Sequence, residues 1–427
     1  MNQLLDRTHQ PEFHAIALPD IPVFDNSELP DGAMLHVMRG GTQPITKIDI
    51  IIESGTLLSE KPLVARATST LLSEGTRTRT SAQIAEDLDY YGAYLWQRTG
   101  LKRTTLSLAC LTKHVAQIVP IIEEIVKEPS FPDNELQLYI ERCRQEFEIE
   151  QCRTTYRART ALRQLLYAPT CRYGRVAKLS DFGQLRQGDL VDFHQDAYSP
   201  RNAHIFISGQ PDDAAVDIIA HAFGENWEPK EKAVYPLPHF GERGQHEVID
   251  VANAKQASIC IARHTPPTGH ADNQKLFVAN TIFGGYFGSR LMQNIREEKG
   301  LTYGIGSYLV VAEYGGTLTI KTDVRPDKYE LVIDEIFAEM RRMSTELVGE
   351  EELTMVRNYM KGEMLRQFDS TLSSADTLIP LCVIGRGREH FEELDRTISE
   401  ITPEEIRSIS ERYLRPEDFC TVVARPE

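Results

Sequence analysis

The chain has 427 residues, 47 Lys+Arg against 63 Asp+Glu, and a formal net charge of −16. Hydrophobic residues make up 41% and charged residues 26%, the balance of a soluble globular chain that can bury a large core. The acidic excess argues against nucleic acid or an anionic membrane as the main partner, since both need a basic face, and no window approaches the ~18 uninterrupted apolar residues of a membrane span.

The N-terminus shows no basic start followed by an apolar stretch, so a cytoplasmic location is the expectation. His9, Glu12 and His14 are residue types that bind metals, but Pro11 and the His-to-His spacing keep them off one helix face. The cysteines at 110, 143, 152, 171, 260, 382 and 420 contain no CxxC pair, which points to reduced, mostly buried thiols rather than a zinc ribbon or a disulfide framework.

The first strand-like run is Ile45–Ile52. A helix follows over Pro62–Glu74, with Pro62 suited to its first turn and Gly75 to the residue just beyond its end. A second helix runs from Ala82 to Tyr91 and stops at Gly92. Thr99-Gly100 turns a hairpin into the strand Leu106–Cys110. A long helical stretch is predicted from Asp133 to Leu166, on a ragged stripe of Leu136, Ile140, Phe147 and Ile149. An amphipathic helix then closes at Tyr198, followed by Pro200 and the strand Ala203–Ser208.

Residues 226–245 hold three prolines and two glycines without periodicity and read as a linker. Beyond it the pattern returns. Ala257–Ala262 is strand-like as Ile45–Ile52 is, Leu318–Thr322 lies 212 residues after Leu106–Cys110, and Tyr413, Pro416 and Phe419–Ala424 repeat the Tyr198 closure at an offset of 215. Tyr314-Gly315-Gly316 lies at the second hairpin. This repeat predicts an α+β protein of two related domains, each a mixed or antiparallel sheet packed against helices: residues 1–228 and 246–427, joined by the linker 229–245.

Two stretches bear on chemistry. The first helix places Arg66, Ser69 and Thr70 ahead of Gly75-Thr76. In the second half, Phe283-Gly284-Gly285 leads into a short helix that Ser289 can cap and Gly300 can end, with Arg296 in its last turn and Tyr303 at the start of the next strand. A reversal at Gly300 would bring both side chains towards one point. The glycines at 284 and 285 are too few for a phosphate cradle and suit close packing. His390, beside Glu392 and Glu393, reads as a solvated helix start.

These motifs, in this order, resemble the pitrilysin and mitochondrial processing peptidase-like superfamily of zinc metallopeptidases. Its active members carry His-x-x-Glu-His on the first helix, at a fixed distance before Gly-Thr. Counting back from Gly75-Thr76 puts Arg66 and Thr70 at the histidine positions and Ser69 at the glutamate position. Two histidines four apart can grip zinc while the glutamate activates water. A guanidinium has no lone pair to give, threonine is a poor ligand, and serine is no base near neutral pH. Glu146, Glu148 and Glu150 lie near the family's third ligand position, with Glu150 favoured by local pattern. Tyr173-Gly174-Arg175 resembles a family segment that positions the chain.

The resemblance implies a non-catalytic subunit of a heterodimeric zinc metalloendopeptidase, with no metal in this chain and zinc in a homologous catalytic partner. Arg296 would hold the substrate backbone or its terminal carboxylate, and Tyr303 would donate to the oxyanion in the partner's site. A peptide substrate would add as a strand to a sheet edge. The chain would be inactive alone, with a homodimer possible in isolation. The alternative is a scaffold or peptide-binding protein of the same fold with no proteolytic role.

Overall fold

The computed structural model describes residues 16–427, so His9 and His14 lie outside the described residues. Its strands form two sheets. The first contains β1 (Asp25–Glu28), β2 (Met34–Arg39), β3 (Ile45–Ile52), β4 (Tyr94–Thr99), β5 (Thr104–Leu111) and β6 (Ala203–Gly209), in the order β1-β2-β6-β3-β5-β4. The second contains β7 (His246–Val251), β8 (Ala257–Thr265), β9 (Thr302–Val310), β10 (Gly316–Val324) and β11 (Cys420–Pro426), in the order β7-β11-β8-β10-β9. With β1 set aside, the two orders match strand for strand. Each sheet even has its parallel pair in the same place, β2 with β6 and β7 with β11. The mixed α+β architecture expected from the sequence is the observed one. Leu106–Cys110 falls in β5 and Leu318–Thr322 in the equivalent β10.

The central strands explain why their sequences are so apolar. In β3, Ile48, Ile50 and Ile52 pack on one face of the sheet, with α1 (Val64–Leu71), α2 (Ser81–Tyr90) and α3 (Val115–Lys127). Ile51 points to the opposite face and joins a core built largely from the second half. A strand covered on both faces reads as a near-continuous hydrophobic run. β8 repeats this: Ile259 and Ile261 face one core, Cys260 and Ala262 another.

What covers those outer faces comes from the other half of the chain. Helix α5 (Thr154–Leu166) lays Ala158, Ala161, Leu162 and Leu166 against Cys260, Ala262, Val422 and Ala424 of the second sheet. Reciprocally, the helix Thr371–Cys382 contributes Ala375 and Leu378 to a core that contains Met38 and Phe206 of the first sheet. Its Asp376 pairs with Lys47 of β3, which also reaches Asp49 at 3.2 Å. Each buried leucine in such a contact is worth about 1.5–3 kcal/mol of transfer free energy.

This exchange corrects the helix predicted over Asp133–Leu166. The structure has two helices, α4 (Asp133–Gln151) and α5, separated at Cys152 and Arg153. Arg153 is extended, with φ −97° and ψ 128°, and pairs with Glu150 at 2.7 Å. No glycine or proline marks the break. It occurs because α4 serves the first sheet, through Leu136 and Tyr139, while α5 must turn to reach the second.

The first helix also differs at its start. Pro62 precedes it, Leu63 adopts the left-handed φ of 73°, and α1 begins only at Val64. Its expected end is displaced into a 3₁₀ turn over Leu72–Glu74, after which Gly75 takes φ 153°. Residues 229–239 carry neither helix nor strand; Asn202 accepts from the Ala233 N–H at 2.9 Å and Tyr235 donates to the Lys102 carbonyl. Cys110, Cys171, Cys260 and Cys420 are buried, whereas Cys152 is exposed.

Candidate functional site

Helix α1 places Arg66 and Thr70 one turn apart on one face. Arg66 is exposed and Thr70 half-buried. Ser69 points the other way and is only 1% exposed. It lies with Ser54 and Thr104 beside the buried Tyr198 hydroxyl, whose pKa burial pushes up to about 12. Ser69, expected from the resemblance to stand at the glutamate position, is thus a small hydroxyl inside a polar knot of the core. Arg66 lies near Tyr139 of α4, whose hydroxyl is held above its usual range chiefly by burial.

The three glutamates of α4 do not remedy this. Glu148 faces Arg144 at 3.9 Å, Glu150 is engaged by Arg153, and Glu146 is exposed. Among the described residues no three His, Cys, Asp or Glu side chains gather as a metal site requires. A permanent cation at Arg66, with Ser69 buried and Thr70 beside it, does not fit a zinc ion.

His390 is corrected as well. It sits in the first turn of the helix Glu389–Glu400, half-buried rather than solvated, with Nδ1 3.2 Å from Gln274 Nε2. Burial is the main cause that lowers its pKa.

In the second half, Thr281–Gly285 and Met292–Glu298 are both π-helical. Such wide turns are uncommon and cluster at functional sites, and nothing in residue pattern announces them. Arg296 is in the last turn and Gly300, at φ 60°, reverses the chain into β9. Ser289 does not cap the helix as expected: among the described residues its buried hydroxyl has no partner, and its backbone carbonyl accepts from the Gln293 N–H instead. Gly284 is needed for close approach. A Cβ there would lie 2.7 Å from the Ser307 Cβ on β9.

The Arg296 guanidinium lies 5.0 Å from the centroid of the Phe287 ring and 3.2 Å from Glu297, its side chain 38% exposed. Tyr303 is 91% exposed near the start of β9, an edge strand of its sheet. The two are placed on either side of Gly300, and among the described residues no hydrogen bond joins them. Both are open to another molecule. In the first sheet the equivalent edge is β4, where Tyr94 and Trp96 are exposed.

Tyr173-Gly174-Arg175 acts on chain position. Arg175 donates to the carbonyls of Glu60 at 2.6 Å and Thr56 at 2.7 Å, and Arg172 donates to Leu57 at 3.0 Å. These bonds tie down the segment that leads into α1. Beside them lies a cavity of about 560 Å³ that also receives Arg66, Arg159 and Arg163. No motif marks the last two, although residues 151–180 hold six arginines, one lysine and no acid.

Comparison with known proteins gives two successive family matches along the chain. The family described as Insulinase (Peptidase family M16) matches residues 42–178, and Peptidase M16 inactive domain matches residues 184–360. The chain is 22% identical over 355 residues to "Uncharacterized zinc protease YmxG" of Bacillus subtilis, covering 83% of this chain and 86% of that one. It is 21% identical over 360 residues to the mitochondrial-processing peptidase subunit beta of Pongo abelii, covering 80% and 72%. Among solved structures, the peptidase M16 inactive domain from Pseudomonas fluorescens superposes with a TM-score of 0.87 at 21% identity, over 95% of this chain and 98% of that one. The periplasmic protease PqqL from Escherichia coli gives 0.79 at 16% identity, over all of this chain and 49% of that one. With two successive stretches matched to the family in sequence and the fold matched in structure, the chain belongs to peptidase family M16.

Proposed function

We propose that the chain is the non-catalytic subunit of a heterodimeric zinc metalloendopeptidase. It binds peptide substrate and presents Arg296 and Tyr303 to the metal site of a homologous partner that carries His-x-x-Glu-His. The observation that carries this reading is the exposure of Tyr303. A phenol set on a sheet edge and open to solvent is a donor waiting for an acceptor on another molecule.

In the complex, the Tyr303 hydroxyl donates to the scissile carbonyl oxygen as negative charge builds on it. A donor that acts only at that stage is worth about 10²–10³ in kcat. Arg296 supplies a planar fork for a backbone carbonyl or a terminal carboxylate, gripped at two points. The edge strand β4 leaves its outer N–H and C=O groups open to an added strand of substrate.

The test is peptide hydrolysis by this chain, by a zinc-motif partner, and by the two mixed. Activity should rise well above either alone, and Tyr303→Phe should lower kcat of the mixture about 100-fold. Full activity of Tyr303→Phe and Arg296→Ala in the mixture removes the role given to that pair. A mixture no more active than the partner alone removes the subunit reading and leaves a peptide-binding scaffold.

A further inference from the structure

The cavity beside α1 has an unusual lining for so acidic a protein. Arg66 of α1, Arg159 and Arg163 of α5, and Arg172 and Arg175 of the following turn all reach it, with Tyr156, Tyr167 and Tyr173 between them. Among the described residues neither aspartate nor glutamate lines it. Five guanidinium groups around one space repel one another, and a fold tolerates that arrangement only against a compensating gain.

The five divide into two groups. Arg172 and Arg175 are occupied: they bond the carbonyls of Thr56, Leu57 and Glu60, and Arg172 also reaches the Glu60 carboxylate at 3.3 Å. Arg66, Arg159 and Arg163 have no carboxylate or carbonyl partner among the described residues. Arg159 lies 5.7 Å from the Tyr156 ring centroid. Arg159 and Arg163 stand at i and i+4 of one helix, a like-charge spacing that weakens the helix on which they sit. Arg163 is held below its usual pKa, first by burial and then by Arg159, with Arg66 contributing. Three open guanidinium forks thus converge on one space. Leu63 and the uncapped first turn of α1 border the same space, which adds the positive end of a helix dipole.

Position makes the lining more telling. Arg66 occupies the place at which the family's active members set a zinc ligand. The same pocket has exchanged cation-binding side chains for anion-binding ones. Thr99, Gly100 and Leu101, at the end of the edge strand β4, form part of its wall. A peptide laid along β4 would bring its side chains to these arginines.

We propose that this cavity is an anion site that takes clustered carboxylates, and that their source is an acidic segment of the peptide bound along β4. The carboxylate chemistry follows from the planar guanidinium forks, which meet carboxylates at two points. Only the peptide source rests on the functional reading above. Binding itself belongs to the isolated chain, so it stands or falls separately from any activity shared with a partner.

Titration calorimetry on the full chain alone tests this with three probes: a short peptide of alternating glutamates, its glutamine counterpart, and inorganic phosphate. The glutamate peptide should bind at least about tenfold more tightly than the glutamine peptide, and added salt should weaken it. Arg163→Gln and Arg159→Gln should each lower its affinity about tenfold. Arg66→Gln, at an exposed position, should do likewise. Arg366→Gln, which removes an exposed charge paired with Glu363 elsewhere, should change nothing. Equal affinity for the glutamate and glutamine peptides overturns the proposal, as does an Arg66→Gln variant that binds normally. Tight phosphate binding that Arg66→Gln abolishes, with no binding of the glutamate peptide, overturns the peptide source.

Discussion

Ser307 of β9 sits directly over Gly284, so close that a methyl group on the glycine would lie 2.7 Å from the serine Cβ. Asn280 locks the contact, with Nδ2 donating to the Ser307 carbonyl at 3.2 Å and Oδ1 accepting from the Ser307 hydroxyl. Two chain segments are thereby pinned together: the π turn over Thr281–Gly285 and the strand that bears Tyr303. Gly284→Ala should cost about 1–3 kcal/mol by forcing them apart. A urea midpoint equal to that of the wild type would show that the contact is not tight.

The packing of α5 across the second sheet predicts that the two halves unfold together. Both tryptophans, Trp96 and Trp227, belong to the first half. Leu162→Ala opens a hole against the second sheet and should cost about 2–5 kcal/mol. Tryptophan fluorescence and far-ultraviolet circular dichroism should shift by the same amount in urea. A fluorescence transition that stays in place while the dichroism becomes biphasic would refute the coupling.

Arg175 holds the approach to α1 through two backbone carbonyls. Arg175→Leu leaves the Thr56 and Glu60 oxygens without these donors and should cost about 1–3 kcal/mol. Arg175→Lys should recover only part of this, since an ammonium cannot span both carbonyls as the planar fork does. Equal midpoints for the leucine variant and the wild type would contradict the positioning role.

Acid should weaken the fold through its buried imidazoles. His194 lies in the core, with Nε2 2.8 Å from the Val126 carbonyl, and burial lowers its pKa to about 4. His36, stacked on Phe206 and 3.0 Å from His204, is lowered to about 4 chiefly by burial. The unfolded chain takes up these protons near pH 6.5 and the folded one refuses them until about pH 4. Stability therefore falls as pH drops through that window and levels off below it. For His194 the full loss is about 3 kcal/mol. His194→Gln should flatten the dependence of Tm on pH between about 7 and 4. A slope as steep as the wild type's would assign the acid sensitivity elsewhere.

The linear chain was sufficient for the repeat, the hairpins and the identity of the family. All three depend on pattern legible along the chain: isoleucine-rich runs in β3 and β8, turn glycines at 100 and 315, and residue spacing around Gly75 and Gly300. The expectation against zinc at the first helix likewise rests on sequence, because the charge of Arg66 is a property of the residue wherever it lies.

Tertiary contacts decided the rest. The break at Cys152 and Arg153 has no local marker; it exists because α4 and α5 serve different sheets. The close fit of the Thr281–Gly285 turn against β9, through Gly284 and Ser307, has no local marker either. The convergence of Arg66 with Arg159 and Arg163 on one cavity follows from where the fold sets α1 and α5, which no spacing along the chain encodes. Periodicity reports which face of an element is buried, whereas only the folded chain determines what that face is buried against.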